Sequence, residues 1–261
     1  MRMATQASLD LPALARAYAV KLRRGEFFSH STALELAGAE LPSELLGDLH
    51  VSAVRPIGRP RGRGVVGHEA SIRSVRVVVV AGLPVSHPAD AWCQLAERAG
   101  LRELVIVGDA LTRRKRPITG VEELRSAVDR WAGRRGARRL REALELVRPG
   151  TDSLRETPLR LGVIDRGLPE PEVNGVIRDR HGRLVAYGDL VFRAFHVIFE
   201  YDGEHHRTDD VQYARDVDRL DDLARLGWRV IRVNKRHRGR ALDERYVSLR
   251  EALIERGWRP E

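Results

Sequence analysis

The chain is nearly without lysine and has one cysteine. Only Lys21, Lys115 and Lys235 are lysines among 46 cationic residues. Nearly all of its positive charge is therefore arginine, whose planar fork of donors suits phosphate. Free use of arginine codons in a GC-rich genome would also raise that count. Cys93 cannot close an internal disulfide, which fits a reducing compartment. It sits in a helical pattern, where it reads as a small buried apolar group. Aromatic residues make up 5% of the chain. No run of about 18 apolar residues occurs, so no membrane-spanning helix is expected. The longest apolar stretch, Val75 to Val85, is broken by Arg76 and Gly82. The N-terminus lacks a charged start followed by an apolar segment and a cleavage site. A secretion signal is not expected, and a cytoplasmic setting is.

A length of 261 residues allows two domains. The net charge is +9, and residues 1–150 hold all of it, with 25 basic against 16 acidic residues. Residues 151–261 hold 21 of each. A basic half beside a balanced half suggests that nucleic-acid grip and chemistry lie on separate modules. Pro149-Gly150-Thr151-Asp152 is the clearest linker and sets the expected boundary, giving domains 1–150 and 151–261.

The first domain reads as helices over Leu9–Arg24 and Thr32–Ala39, then extended segments at 50–56 and 74–80. Between these lies IGRPRGRGVVGH, a turn-rich loop carrying Arg59, Arg61 and Arg63. It could follow a phosphate backbone or form a solvated hairpin tip. Helices are expected over His87–Ala99, capped by Ser86, and over Leu101–Leu111, Val121–Trp131 and Ala137–Val147. Arg134, Arg135, Arg138 and Arg139 crowd the start of the last one. Positive charge is unfavourable at a helix N-terminus, so a phosphate partner is a reason for them. The second domain reads helix, three strands, helix, strand, helix. Ser153 caps its first helix, which holds Glu156, and Gly227 closes the helix over Val211–Leu226.

The segment RLVAYGDLVFRAFHVIFEYDGEHH, Arg183 to His206, is the most informative. It reads as two strands with a tight turn between Arg193 and Ala194, which sets Asp189 opposite Ile198. Glu200 and Asp202 then share the face of Asp189. Glu200 is its diagonal neighbour, roughly 7–8 Å away at the backbone. Carboxylates crowded on one face repel unless a proton or cation sits between them. A divalent metal is the simplest resolution. Taken singly, each residue has a plainer reading: a solvated strand end, a Glu156–Arg160 pair four residues apart, or a turn at Asp202-Gly203.

The stretch Val197 to Asn234 resembles the very-short-patch mismatch repair endonucleases and their wider relatives, the DUF559 family. Both belong to the PD-(D/E)xK, or restriction-endonuclease-like, superfamily. The matching pieces are SLRETPLR, GLPEPEVN, GDLVF, VIFEYDGEHHR and ARDVDRLDDLARLGWRVIRV, in that order through the second half. In the first half, SHSTALELAGAELP is similar to the opening of AbiEi-like antitoxin winged-helix domains. The resemblance implies an α/β protein. A restriction-endonuclease-like mixed sheet flanked by helices would follow a mainly helical basic domain with a small winged-type sheet.

It also implies metal-dependent hydrolysis of phosphodiester bonds, most readily in DNA. Mg²⁺ would be the cofactor, with Mn²⁺ able to substitute. Asp189 matches the metal-binding aspartate, Glu200 the first acid of the (D/E)xK element and Glu156 the helix glutamate. His206, with His205 beside it, falls where the repair enzymes carry histidines. The lysine of the motif is replaced by Asp202, as the mismatch-repair relatives also lack it, and this leaves the general base open. The candidate catalytic set is thus Glu156, Asp189, Glu200, Asp202 and His206, with Asp189 and Glu200 as metal ligands. The candidate nucleic-acid contacts are Arg59, Arg61, Arg63, Arg134, Arg135 and Arg138. The rival expectation is a non-catalytic DNA-binding regulator of antitoxin type with a degenerate nuclease fold.

Overall fold

The computed structural model describes residues 10–203 and 210–260, and their side chains apart from those of 210–215. The chain divides into two compact units, the first ending at Arg148 and the second starting at Pro149. No described helix is long and apolar enough to cross a membrane.

The first unit opens with α1 (Leu11–Ala19), β1 (Glu26–Phe28) and α2 (His30–Leu36). Strands β2 (Leu49–Val54), β3 (Val65–Ala70), β4 (Val77–Val80) and β5 (Leu83–Ser86) follow. Four helices complete it: α3 (Pro88–Leu95), α4 (Leu101–Leu111), α5 (Val121–Arg130) and α6 (Ala137–Leu146). The strands form one mixed sheet of order β3-β2-β1-β5-β4, with β1/β5 and β2/β3 parallel. This is larger than the small winged-type sheet expected, because three strands carry weak sequence signals. Strand β1 is only three residues, too short to show a period. In β5, Pro84 reads as a breaker, yet the strand meets β1 only at Val85, where no proline amide is needed. Strand β3 begins inside the expected loop and runs two residues past it. Its Gly67 is where the chain folds back on itself: a Cβ there would lie 1.9 Å from the Pro60 carbonyl oxygen.

Helix α3 is buried along its whole length and centres this unit. Trp92 donates its indole N–H to the Leu104 carbonyl at 2.8 Å. Asp90, 1% exposed, accepts from the Arg76 amide and guanidinium and from Arg130. His87, not Ser86, caps α3, accepting from the Ala89 amide through Nδ1. Ser86 ends β5 instead and donates to Gln94. Cys93 is free and buried, and burial raises its thiol pKa.

The second unit runs α7 (Glu156–Ile164), β6 (Glu172–Arg178), β7 (Leu184–Phe192), β8 (Val197–Asp202), α8 (Asp210–Arg225), β9 (Arg229–Asn234) and α9 (Arg240–Glu255). Its sheet order is β6-β7-β8-β9, antiparallel except for β8/β9. A parallel pair needs a crossover, and α8 supplies it. Alternation along the strands divides the core. Leu190, Phe192, Val197 and Phe199 pack with Leu159 and Val163 of α7 and Leu249 and Leu253 of α9. Val191 and Ile198 pack with Leu223 and Trp228. Gly227, at φ +78°, ends α8 in the left-handed region. Helix α7 starts at Glu156 with Arg155 at its cap, so Ser153 does not cap it as expected; the Ser153 hydroxyl accepts from the Arg155 amide.

Candidate functional site

The β7–β8 connection decides where the acids meet. It holds a 3₁₀ turn at Arg193–Phe195 and a left-handed His196 at φ +50°. The expected two-residue turn is therefore replaced by a four-residue link. Leu190 pairs with Phe199, Val191 with Ile198 and Phe192 with Val197. Continued by one step, this register sets Asp189 opposite Glu200 rather than Ile198. The slip is two residues, and side chains repeat every two, so the shared face survives. Glu200 thereby moves from a diagonal position to the one facing Asp189, just beyond the last paired residues.

Backbone pairing breaks off on both sides of Asp189. The β6–β7 ladder pairs Val173 with Leu190 and Gly175 with Gly188, skipping Asn174 and Asp189. Asn174 stands at φ +47°, a conformation asparagine tolerates better than most residues. On the other side, the β7–β8 ladder ends at Leu190, and the Asp189 carboxylate accepts the Tyr201 amide at 2.7 Å. Asn174 was not singled out from the sequence. Its side-chain amide donates to Glu156 Oε2 at 2.6 Å and to the Gly150 carbonyl at 2.9 Å. Glu156, 3% exposed, also accepts the Asp152 amide at 3.0 Å. One asparagine thus ties the first turn of α7 to the interrupted strand.

The electrostatics record the crowding. Burial raises the Asp189 carboxyl most, the Glu156 and Glu200 carboxylates add to it, and the Tyr201 amide and Arg219 oppose it; the result is a pKa of about 7. Burial also raises Glu156, against the hydrogen bonds from Asp152, Ser153 and Asn174. Glu200, 5% exposed, is clasped by Arg219, whose two nitrogens lie 2.8 and 3.2 Å from its oxygens. Arg219 also donates to the Tyr187 carbonyl of β7. Arg232 lies 3.6 Å from Glu200 and 3.0 Å from Asp202. Asp202 is thus in an ion pair with β9. Arg232 carried no motif signal, since it is placed by the packing of β9 beside β8.

His205 and His206 lie outside the described residues. The oxygen donors of Asp189, Glu156 and Glu200 suit a hard cation, and the excess negative charge around Asp189 would favour one. Among the described residues, however, these carboxylates do not bring three ligand atoms within 4.8 Å of one another; His30, His50 and His68 do.

The arginines proposed for nucleic acid separate into groups. Arg59, Arg134 and Arg135 line one cleft of the first unit with Arg55 and Arg98. Arg61 and Arg63 line a shallower hollow with Lys21 and Arg23, which Arg59 also borders. Arg138 lines neither and pairs with Glu142 one turn on. Two further members of the basic cluster around the start of α6 also have local partners. The Arg134 guanidinium lies 5.1 Å from the Trp131 ring centre, and Arg139 donates to the Ala99 carbonyl at 2.6 Å. Local packing therefore accounts for part of a cluster that the helix dipole alone left without a reason.

No family model matches the chain, and no solved structure matches it. Two curated relatives are 28% identical over 156 residues, both described as uncharacterized proteins of Mycobacterium tuberculosis, one from strain CDC 1551 / Oshkosh and one from H37Rv. The match covers 60% of this chain and 56% of each relative, so the chain spans about half their length.

Proposed function

We propose that the second unit is a metal-dependent nuclease of the restriction-endonuclease-like type, cutting phosphodiester bonds in DNA that the arginine cleft of the first unit helps to bind. The observation that carries this reading is Asp189. It stands where two strand ladders are interrupted, and burial, with two nearby carboxylates adding to it, raises its proton affinity to near neutrality. Such crowding is destabilising by itself, and perturbed carboxylates of this kind concentrate at functional sites. The sequence resemblance to the DUF559 and very-short-patch families supports the same assignment.

In this reading Asp189 and Glu200 would hold a Mg²⁺ or Mn²⁺ ion. Bound there, the ion would polarise a phosphoryl oxygen and acidify a water. Glu156, held by Asn174 and the Asp152 amide, would orient water at the site. The Tyr201 amide fixes one Asp189 oxygen. The Glu200 oxygens keep lone pairs beyond those that accept from Arg219, so a cation could join them while Arg219 holds the carboxylate in place.

Plasmid nicking with Mg²⁺ or Mn²⁺ tests the proposal. The unmodified protein should nick, and Asp189→Ala and Glu200→Ala should fall to background. Equal nicking by all three, or none by any, rejects it. The Arg219–Glu200–Arg232 contacts favour a second reading, a DNA-binding regulator whose nuclease site is locked by ion pairs. Calorimetry separates the two: a Mn²⁺ site lost in Asp189→Ala belongs to the nuclease, and DNA binding without any such site to the regulator.

A further inference from the structure

We propose that His30, His50 and His68 form a separate metal site in the first unit, one that takes a divalent transition ion of the Zn²⁺ type. The three residues come from the start of α2, from β2 and from β3, and one ligand nitrogen of each lies within 4.8 Å of the others. Their sequence spacing follows no metal-binding motif, so only the fold assembles them. Strands β2 and β3 run parallel with Ser52 opposite His68. His50 lies two residues from Ser52, on the same face, and is therefore diagonal to His68.

The chemistry selects the ion. Neutral imidazoles suit Zn²⁺, Co²⁺, Ni²⁺ and Cu²⁺, whereas Mg²⁺ demands oxygen. Zn–N bonds of about 2.0–2.1 Å in tetrahedral geometry put ligand nitrogens roughly 3.3–3.4 Å apart. His50 Nδ1 and His68 Nε2 are 2.9 Å apart, so a few tenths of an ångström of opening would admit the ion. The rings are stacked within 20–24° of parallel, and they must fan outward as it enters. All three border a cavity of about 120 Å³, into which they could turn.

The support around the rings is that of a held ligand set. His30 Nδ1 is hydrogen-bonded to Ser29 Oγ at 2.9 Å, which leaves Nε2 for a metal. Ser29 Oγ in turn accepts from Ser52 at 2.8 Å. Outer hydrogen bonds of this type fix ring orientation in metal sites. The Ser29 amide donates to the His50 carbonyl, and the His50 amide donates to Thr32 Oγ1. His30 also stands at φ +54°, unusual for a residue with a Cβ, and its amide is held by Gln94 Oε1 at 3.1 Å. Strained backbone of this kind persists where surrounding structure enforces it, often at ligand sites. Three protein ligands leave an open position, and Arg98 on the cavity wall favours an anionic ligand there.

The site is independent of the nuclease assignment, because its ligands belong to the other unit. The full chain, stripped with chelator, is titrated with Co²⁺ and with Zn²⁺. With excess Mg²⁺ present to occupy oxygen-donor sites, one equivalent should bind, with the visible absorption of a nitrogen-ligated four-coordinate Co²⁺. Asp189→Asn should retain that binding, and His50→Gln and His68→Gln should lose it. Ser29→Ala keeps all three imidazoles and should weaken binding by about 10–100-fold, which guards against variants that do not fold. Zn²⁺ should raise the melting temperature of the parent chain but not of the histidine variants. No Co²⁺ absorption in the parent, or a spectrum unchanged in both histidine variants, overturns the proposal.

Discussion

Asp189 keeps its proton to about pH 7, because burial and the neighbouring carboxylates oppose its ionisation. A free aspartate titrates near pH 4, so between those values the native state binds more protons than the unfolded chain. Asp189 by itself then lowers stability as pH rises from about 4 to 7, while the buried His30, His50 and His68, whose pKa values burial lowers, act in the opposite sense. The full penalty above pH 7 is roughly 2–4 kcal/mol. Asp189→Asn should remove this slope, giving a higher urea midpoint than the parent at pH 8 and little difference at pH 4. Saturating Mn²⁺ should restore the parent at pH 8 and leave the variant unchanged. A variant less stable than the parent at pH 8 would mean that the crowding is relieved in another way. Asp189 and Glu200 were legible as candidates because alternation along paired strands puts their side chains on one face, and Glu156 only through the family resemblance. Asn174 and Arg232 were not, since each gains its meaning from a partner distant in the chain.

Helix α7 approaches α9 through a glycine. A Cβ on Gly162 would lie 2.1 Å from the Tyr246 hydroxyl, which donates to the Leu159 carbonyl of α7. Gly162→Ala should therefore push α7 off α9 and cost about 1–3 kcal/mol, seen as a lower melting temperature. Because α7 carries Glu156, nicking should fall with it. In the first unit, Asp90 on α3 holds Arg76 and Arg130 from inside the protein. Asp90→Ala leaves two guanidinium groups without their buried anion. Both groups are partly solvated, so the expected cost is about 1–3 kcal/mol by denaturant titration, including the lost acceptor of the Arg76 amide. The longer helices were readable because α4, α5 and α6 repeat apolar residues over several turns. Strands β1 and β5 were not, because three or four residues, one of them a proline, hold no period. Tertiary pairing with β2 and β4 makes them strands.

At the scale of the molecule, the excess positive charge lies in the first half of the chain and the crowded carboxylates in the second, and the charge should be measurable as salt dependence. Binding to random duplex DNA should weaken steeply with salt if the arginine cleft meets phosphates. Replacing Arg59, Arg134 and Arg135 together with alanine should reduce the log–log salt slope by up to about 3. Arg138→Ala, whose partner is Glu142, should change it little. Fluorescence anisotropy at several salt concentrations measures both. Equal slopes for the parent and the triple variant would place the DNA contact, if any, elsewhere.

Local sequence determined the two-part division of charge, the long helices, the acid-bearing hairpin and the face its acids share. These are properties of composition and of short periods, and they need no distant partner. Register, ion pairing and the gathering of His30, His50 and His68 depended on tertiary structure. A four-residue link in place of a two-residue turn moved the hairpin by two positions without turning its faces. The packing of α8 and β9 supplied the arginines on Glu200. Parallel pairing of β2 with β3, beside the start of α2, brought together three imidazoles that the sequence keeps 18 or more residues apart.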